Sequence, residues 1–262
     1  MARVTISIDE LVATLKRSNL PTILVEGDDD VMVYRQFEKQ FGARKVSILP
    51  CGGRNTLLKV FERKHEFPHL KVHFIADKDM WVFEGVPEKY ATISFTSGYS
   101  IENDLYADGF KRLDALLDED ELIHKKELLE NIVEWFASEV EKYLNDGNEM
   151  RLSEFTLLSP KVMEKSKNHF TTIFLTEQAF VKPTSKMIEL VQSENYKRLR
   201  GKYLFEIYTK IFEFYRKAKD VKSVTYHKNQ LMDICYREGV KSSIETTCMQ
   251  KMIHEIKIVF GL

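Results

Sequence analysis

Thr22-Ile23-Leu24-Val25-Glu26-Gly27-Asp28-Asp29-Asp30 decides how this chain is read. The apolar run after Pro21 is short and stops at Glu26, the pattern of a compact buried strand. Residues 28–41 then place Val31, Tyr34, Phe37 and Phe41 near one helical face. A strand that leaves through Glu-Gly into a helix is the first half of a strand–helix–strand unit.

The pattern repeats outward from there. Val46-Ser47-Ile48-Leu49 reads as a second strand, closed by Pro50-Cys51-Gly52-Gly53, and residues 54–65 as a helix with Leu57, Leu58 and Phe61 inward. Lys71–Ala76 and Ala91–Phe95 read as a third and a fourth strand. Strands alternating with helices predict an α/β fold: an open sheet of about four mainly parallel strands flanked by helices, with right-handed crossovers. Beyond residue 110 the strand signal largely stops. Helical stripes cover 121–144, 203–217, 227–238 and 243–260, and Thr171–Thr176 alone still reads as extended. The expected organisation is therefore residues 1–110 as an α/β domain and 111–262 as a mostly helical C-terminal region. No recognisable linker separates the two, so they are free to share a core.

Composition narrows the classes. The 262 residues carry 39 Lys+Arg and 40 Asp+Glu, with 30% charged and 44% hydrophobic residues, which suits a globular protein and excludes a disordered one. The near-zero net charge conceals two opposed segments. Residues 118–149 hold 3 basic and 11 acidic side chains, and residues 182–262 hold 16 basic and 9 acidic ones. The first suits a protein partner and the second a nucleic acid. Cys51, Cys235 and Cys248 are far apart and form no CxxC pair, so neither a zinc ribbon nor a disulfide framework is readable. The start, Met1 to Asp9, contains no signal-peptide apolar region, and no apolar run approaches a membrane span. A cytoplasmic location without a membrane segment is expected.

Acidic residues gather where the strands end. Glu26 follows the first strand, with Asp30 four residues later; Asp77-Lys78-Asp79 follows the third; Glu102 lies beyond the fourth, in Ser100-Ile101-Glu102-Asn103-Asp104-Leu105. Ligands of open parallel sheets bind outside the carboxyl ends of the strands, so one sheet edge can collect all five carboxylates. Like charges that close favour protonation unless a cation lies between them. An all-oxygen cage suits Mg²⁺ or Mn²⁺, as one ion or two. Gly27 would let a phosphate or metal approach the backbone. Each piece has a plainer reading: Asp28 and Asp29 as helix-start acids, Asp-x-Asp as a turn. The joint spacing is what carries weight.

These residues resemble the toprim family, which carries Glu-Gly after the first strand and Asp-x-Asp after the third. Glu26-Gly27 and Asp77-Lys78-Asp79 match those motifs, and Asp30 matches a second acidic position of OLD-type nucleases. Residues 20–105 carry this likeness. Ser100–Leu105 and Arg200-Gly201-Lys202-Tyr203-Leu204 make the remainder similar to DUF4435-type proteins, and to the toprim effectors of PARIS anti-phage systems. The resemblance implies a Mg²⁺-dependent endonuclease, the toxic effector of an abortive-infection system, cutting RNA (plausibly tRNA) in preference to DNA. It implies Glu26, Asp77 and Asp79 as catalytic residues, and these three with Asp30 and Glu102 as metal ligands. It also implies an ABC-type or SMC-like ATPase partner, and a homodimer in the active state. Topoisomerase toprim units have no counterpart of Glu102.

Other features carry less. No Walker A loop occurs, so any ATP dependence belongs to a partner. Gly52-Gly53 before a helix reads first as a turn and second as a phosphate cradle. Cys51 reads as inert, and His65, His69 and His73 as unrelated to metal. Lys197, Arg198, Arg200 and Lys202, beside Tyr196 and Tyr203, suit nucleic-acid contact, or else a solvated helix face. Two other readings stand beside the nuclease: a non-catalytic interaction subunit of a defence complex, and an Asp-x-Asp metal-dependent phosphatase or transferase. In a haloacid-dehalogenase phosphatase the motif would follow the first strand, whereas here it follows the third and Trp81 stands at the expected Thr or Val.

Overall fold

The computed structural model describes residues 6–41, 45–147, 152–165, 167–218, 225–241 and 247–262, with Asp29 as backbone only. The elements run α1 (Ile8–Arg17), β1 (Thr22–Val25), α2 (Asp28–Tyr34), β2 (Ser47–Pro50), α3 (Arg54–Glu62), β3 (Val72–Ala76), α4 (Trp81–Glu84), β4 (Ser94–Phe95) and α5 (Ile101–Asp114). Then follow α6 (Glu119–Asn145), α7 (Thr172–Glu177), α8 (Ser185–Ser193), α9 (Asn195–Arg198), α10 (Gly201–Lys210), α11 (Arg216–Ala218), α12 (Lys228–Lys241) and α13 (Cys248–Phe260). A π-helical stretch, Ile211–Tyr215, joins α10 to α11.

The strands form one sheet in the order β2-β1-β3-β4, every pair parallel. The expected α/β fold with a helical C-terminal part is what the chain adopts. β1 is buried along its whole length, as a central parallel strand with helices on its faces must be. Its register pairs Leu24 with Leu49 and with Phe74, so β1, β2 and β3 end level with one another. Beside the sheet, Leu11 and Leu15 of α1 and Leu57 and Phe61 of α3 pack with Leu24 and Phe74. Ser7 caps α1 reciprocally: the Glu10 N–H donates to Ser7 Oγ at 3.2 Å, and the Ser7 N–H to Glu10 Oε2 at 2.7 Å.

Contacts divide the chain into two compact units, Met1–Asp104 with Ser242–Leu262, and Leu105–Lys241. The last helix therefore belongs with the sheet, not with the helical region as expected. The cause is a set of contacts on β3 and β4. Lys71 Nζ donates to Phe260 O at 2.7 Å, the His73 ring meets Phe260 edge-on at 6.3 Å, and Ser94 Oγ donates to Glu255 Oε2 at 2.8 Å. The expected beginning of that helix, 243–246, lies outside the described residues, as do Met1–Thr5.

In the second unit α6 is the longest element, burying Leu128, Ile132, Trp135, Phe136 and Val140. Trp135, Phe155, Phe170, Phe174 and Tyr203 form one aromatic cluster. One expectation fails here: Thr171–Thr176 is not extended but caps and begins α7, the Phe174 N–H donating to Thr171 Oγ1 at 3.1 Å. β-branched residues suggested a strand, and the threonine's capping bond decided for a helix. No helix among the described residues is long and apolar enough to cross a membrane.

Candidate active site

Because β1 and β3 are parallel neighbours, the residues that leave them meet at one edge of the sheet. The Asp77 N–H donates to Glu26 Oε1 at 2.9 Å. Asp77 Oδ1 accepts the Ile101 N–H at 2.9 Å, which ties the start of α5 to the end of β3. Ser100 Oγ lies 2.7 Å from Glu102 Oε2 and 3.0 Å from Asn103 Oδ1. Asp104 turns the preceding loop by accepting the Ser97 and Gly98 N–H groups at 2.9 and 3.0 Å. On the other side, Asp30 Oδ2 accepts the Gly27 N–H at 2.9 Å and closes the first turn of α2. A Cβ on Gly27 would meet only that oxygen, at 3.6 Å, so the protein's own packing does not demand glycine there.

Asp79 stands apart from the other four. Its backbone is left-handed at φ 48°, an uncommon conformation for a residue other than glycine, and its N–H donates to Tyr99 O at 2.7 Å. Its carboxylate faces Arg54, whose Nη1 donates to Asp79 Oδ2 at 2.8 Å and to Lys78 O at 3.0 Å. The guanidinium lies 3.7 Å over the Trp81 ring. Nη2 is buried and has no hydrogen-bond partner, a state that ordinarily costs about 1–3 kcal/mol.

The electrostatics register the crowding. Burial, then the charge of Asp79, pushes the Glu26 carboxyl up to about 8 against the pull of the Asp77 N–H and Arg54. Asp77 is held well above the carboxylate range by burial and then by Glu26, Asp30, Glu102 and Asp79. Burial, followed by Asp77, Asp30, Asp104 and Glu26, keeps the Tyr34 hydroxyl protonated. The other four sequence-predicted acids thus all act on Asp77. Cys51, buried beside them, has its thiol pushed up to about 12 by burial and Glu26, as an inert cysteine would. Gly52 and Gly53, at φ 77° and 133°, form a turn in which the Gly53 N–H donates to Glu26 O at 2.7 Å.

Among the described residues, no group of three or more His, Cys, Asp or Glu side chains stands ready-made around a metal position. Glu26, Asp30 and Asp77 each turn one oxygen to a backbone N–H, and Asp79 turns one to Arg54. In kind, the donor set fits a hard divalent cation: carboxylate oxygens only, crowded and buried enough that Glu26 and Asp77 are both displaced toward their protonated forms.

The sequence-predicted basic residues belong to the second unit. Lys197 and Arg198 both pair with Glu194, at 2.8 and 3.0 Å. Arg200 donates to Ser153 O at 2.9 Å and lies 3.6 Å from Glu154. Lys202 lies 5.5 Å over Tyr203, its ammonium held below the usual lysine range by burial and then by Arg200, with Lys228 adding. A pocket of about 710 Å³ in the same unit, lined by Lys161, Glu164, His169 and Thr171, contains none of the predicted residues. Arg54, Trp81 and Asp104 were missed by sequence reasoning; Gly52-Gly53 before Arg54 was the available signal. Neither family models nor curated proteins match the chain.

Proposed function

We propose that this chain is a metal-dependent endonuclease of toprim type. The observation that carries the reading is the environment of Asp77: four other carboxylates act on it, gathered from the ends of β1, β3 and β4. An arrangement that repels itself at neutral pH is made useful by a cation. Glu26, Asp77 and Asp79, with Asp30 and Glu102 beside them, would hold one or two Mg²⁺ or Mn²⁺ ions. Such an ion, when bound, lowers the pKa of a water and stabilises the leaving oxygen of a phosphodiester displacement.

The chain's own residues supply the rest. Glu26 yields its proton once its neighbours' charge is neutralised, and its carboxylate is then placed to take a proton from the attacking water. Asp77 is kept in position by the Ile101 N–H, and Asp79 by the Tyr99 carbonyl. Lys202, with Arg200, Lys197 and Arg198, serves as phosphate-contacting surface of the second unit. The toprim resemblance supports RNA, plausibly tRNA, as substrate. It also supports a role as the toxic effector of an anti-phage system, working in the cytoplasm with an ATPase partner and as a homodimer when active.

The test is direct. Purified protein is incubated with RNA and DNA, with and without Mg²⁺, beside Glu26→Ala. Cleavage should require Mg²⁺ and disappear in the variant while its circular dichroism is unchanged. A folded Glu26→Ala protein that cuts at the parental rate would sink the proposal.

A further inference from the structure

The guanidinium of Arg54 is engaged on one nitrogen only. Nη1 serves Asp79 and the Lys78 carbonyl, the plane rests on Trp81, and Nη2 is enclosed without a partner. Arg54 is also the cation whose charge acts on Glu26. Lys78, the other cation of this loop, turns its ammonium to Ser97 O at 3.1 Å. A cluster of carboxylates repels a phosphodiester unless a cation meets its non-bridging oxygens, and the planar fork of an arginine is the side chain best matched to them.

We propose that Arg54 is a further catalytic residue: the cation that contacts the phosphate of the substrate, stored at rest on Asp79. The identity of the substrate rests on the nuclease reading; the phosphate contact does not. Asp79 cannot give the same oxygen fully to a metal ion and to Arg54. Were Asp79 to hold an ion, Arg54 would lose its anion, and the fork would be left with two nitrogens to donate. Nη2 is closed to solvent at rest, so the guanidinium must swing from the Trp81 face to deliver it. The Arg54 side chain is 17% and the Asp79 side chain 40% exposed, so the pair reaches solvent.

The experiment measures binding to the full chain by calorimetry without divalent metal, using inorganic phosphate and, separately, a short single-stranded RNA. Asp79→Asn should bind both about 10-fold more tightly than the parent, because it frees Arg54, and a misfolded protein cannot produce such a gain. Adding Arg54→Met should remove the gain and weaken both by about 10–100-fold, with Arg54→Lys between. Lys78→Gln should leave both affinities unchanged. No gain in Asp79→Asn, no loss with Arg54→Met, or a loss with Lys78→Gln in its place overturns the proposal. An Arg54 effect on inorganic phosphate alone overturns the substrate role, since it marks a site for free phosphate. If the binding pattern holds but the parent cuts no nucleic acid with Mg²⁺, the nuclease reading and the catalytic role fail while the phosphate contact stands.

Discussion

Glu26 ordinarily titrates near 4.5 and is held here at about 8, with Asp77 displaced in the same direction. The folded state therefore binds protons that the unfolded chain releases, so this contribution to stability is whole below about pH 4.5 and is lost as pH rises through about 8. In metal-free buffer the unfolding midpoint should fall between about pH 5.5 and about pH 8.5. Millimolar Mg²⁺ should reverse the fall, since a cation can replace the protons. Glu26→Gln, which keeps an acceptor for the Asp77 N–H, should flatten the slope. A metal-free midpoint that rises over that range would contradict the crowding. The acids were legible in the sequence because each follows a strand and parallel strands end together. Arg54 was not, because its partners lie 24 and 25 residues away in sequence and meet it only through the fold.

At the scale of elements, α5 and α12 touch backbone to backbone. A Cβ on Gly109 would lie 2.4 Å from Cys235 Cα and 2.6 Å from its Sγ. Gly109→Ala must therefore push two helices apart and should cost at least about 3 kcal/mol in a denaturant titration. Gly239→Ala meets the Asp108 side chain, at 2.7 Å, which can turn away; its cost should be clearly smaller. Arg216 grips Glu121 through two nitrogens, at 2.5 and 2.8 Å, with both side chains largely buried. Arg216→Met takes from the buried Glu121 the cation that pairs with it, leaving the Asp118 N–H bond at 3.0 Å, and should cost about 3 kcal/mol, read from the same titration. Strands and long helices were legible from apolar spacing. α7 was not, since its β-branched residues favour a strand until Thr171 caps a helix. α1 is announced by a local signal of another kind, the Ser7–Glu10 capping box, and buries only Leu11, Val12 and Leu15.

At the scale of the whole molecule, His73 is one group that ties stability to acid. It is buried, 6% exposed, with Nε2 unpartnered, and burial lowers its pKa to about 4 against the raising charge of Glu255. The unfolded chain takes up the proton near 6.5, so this stability is present above that pH and is lost as pH falls through about 4, by up to about 3 kcal/mol. His73→Phe should shift the acid midpoint of unfolding downward. An unchanged midpoint would show that His73 does not set it. The loss of strand signal near residue 110 was legible in the sequence. The return of α13 to the sheet was not, since its stripe of Met249, Met252, Ile256 and Phe260 suits any apolar surface.

That return makes the α/β unit discontinuous, with α13 made after the whole second unit. On the ribosome, β1 to β4 leave the exit tunnel long before α13, so Lys71 and His73 wait without Phe260 while the whole second unit is made. The contacts of α13 with β3 and β4 therefore form only after the second unit has been made. A nascent chain halted at Lys241 should be cut by protease near β3, and one extended through α13 protected there.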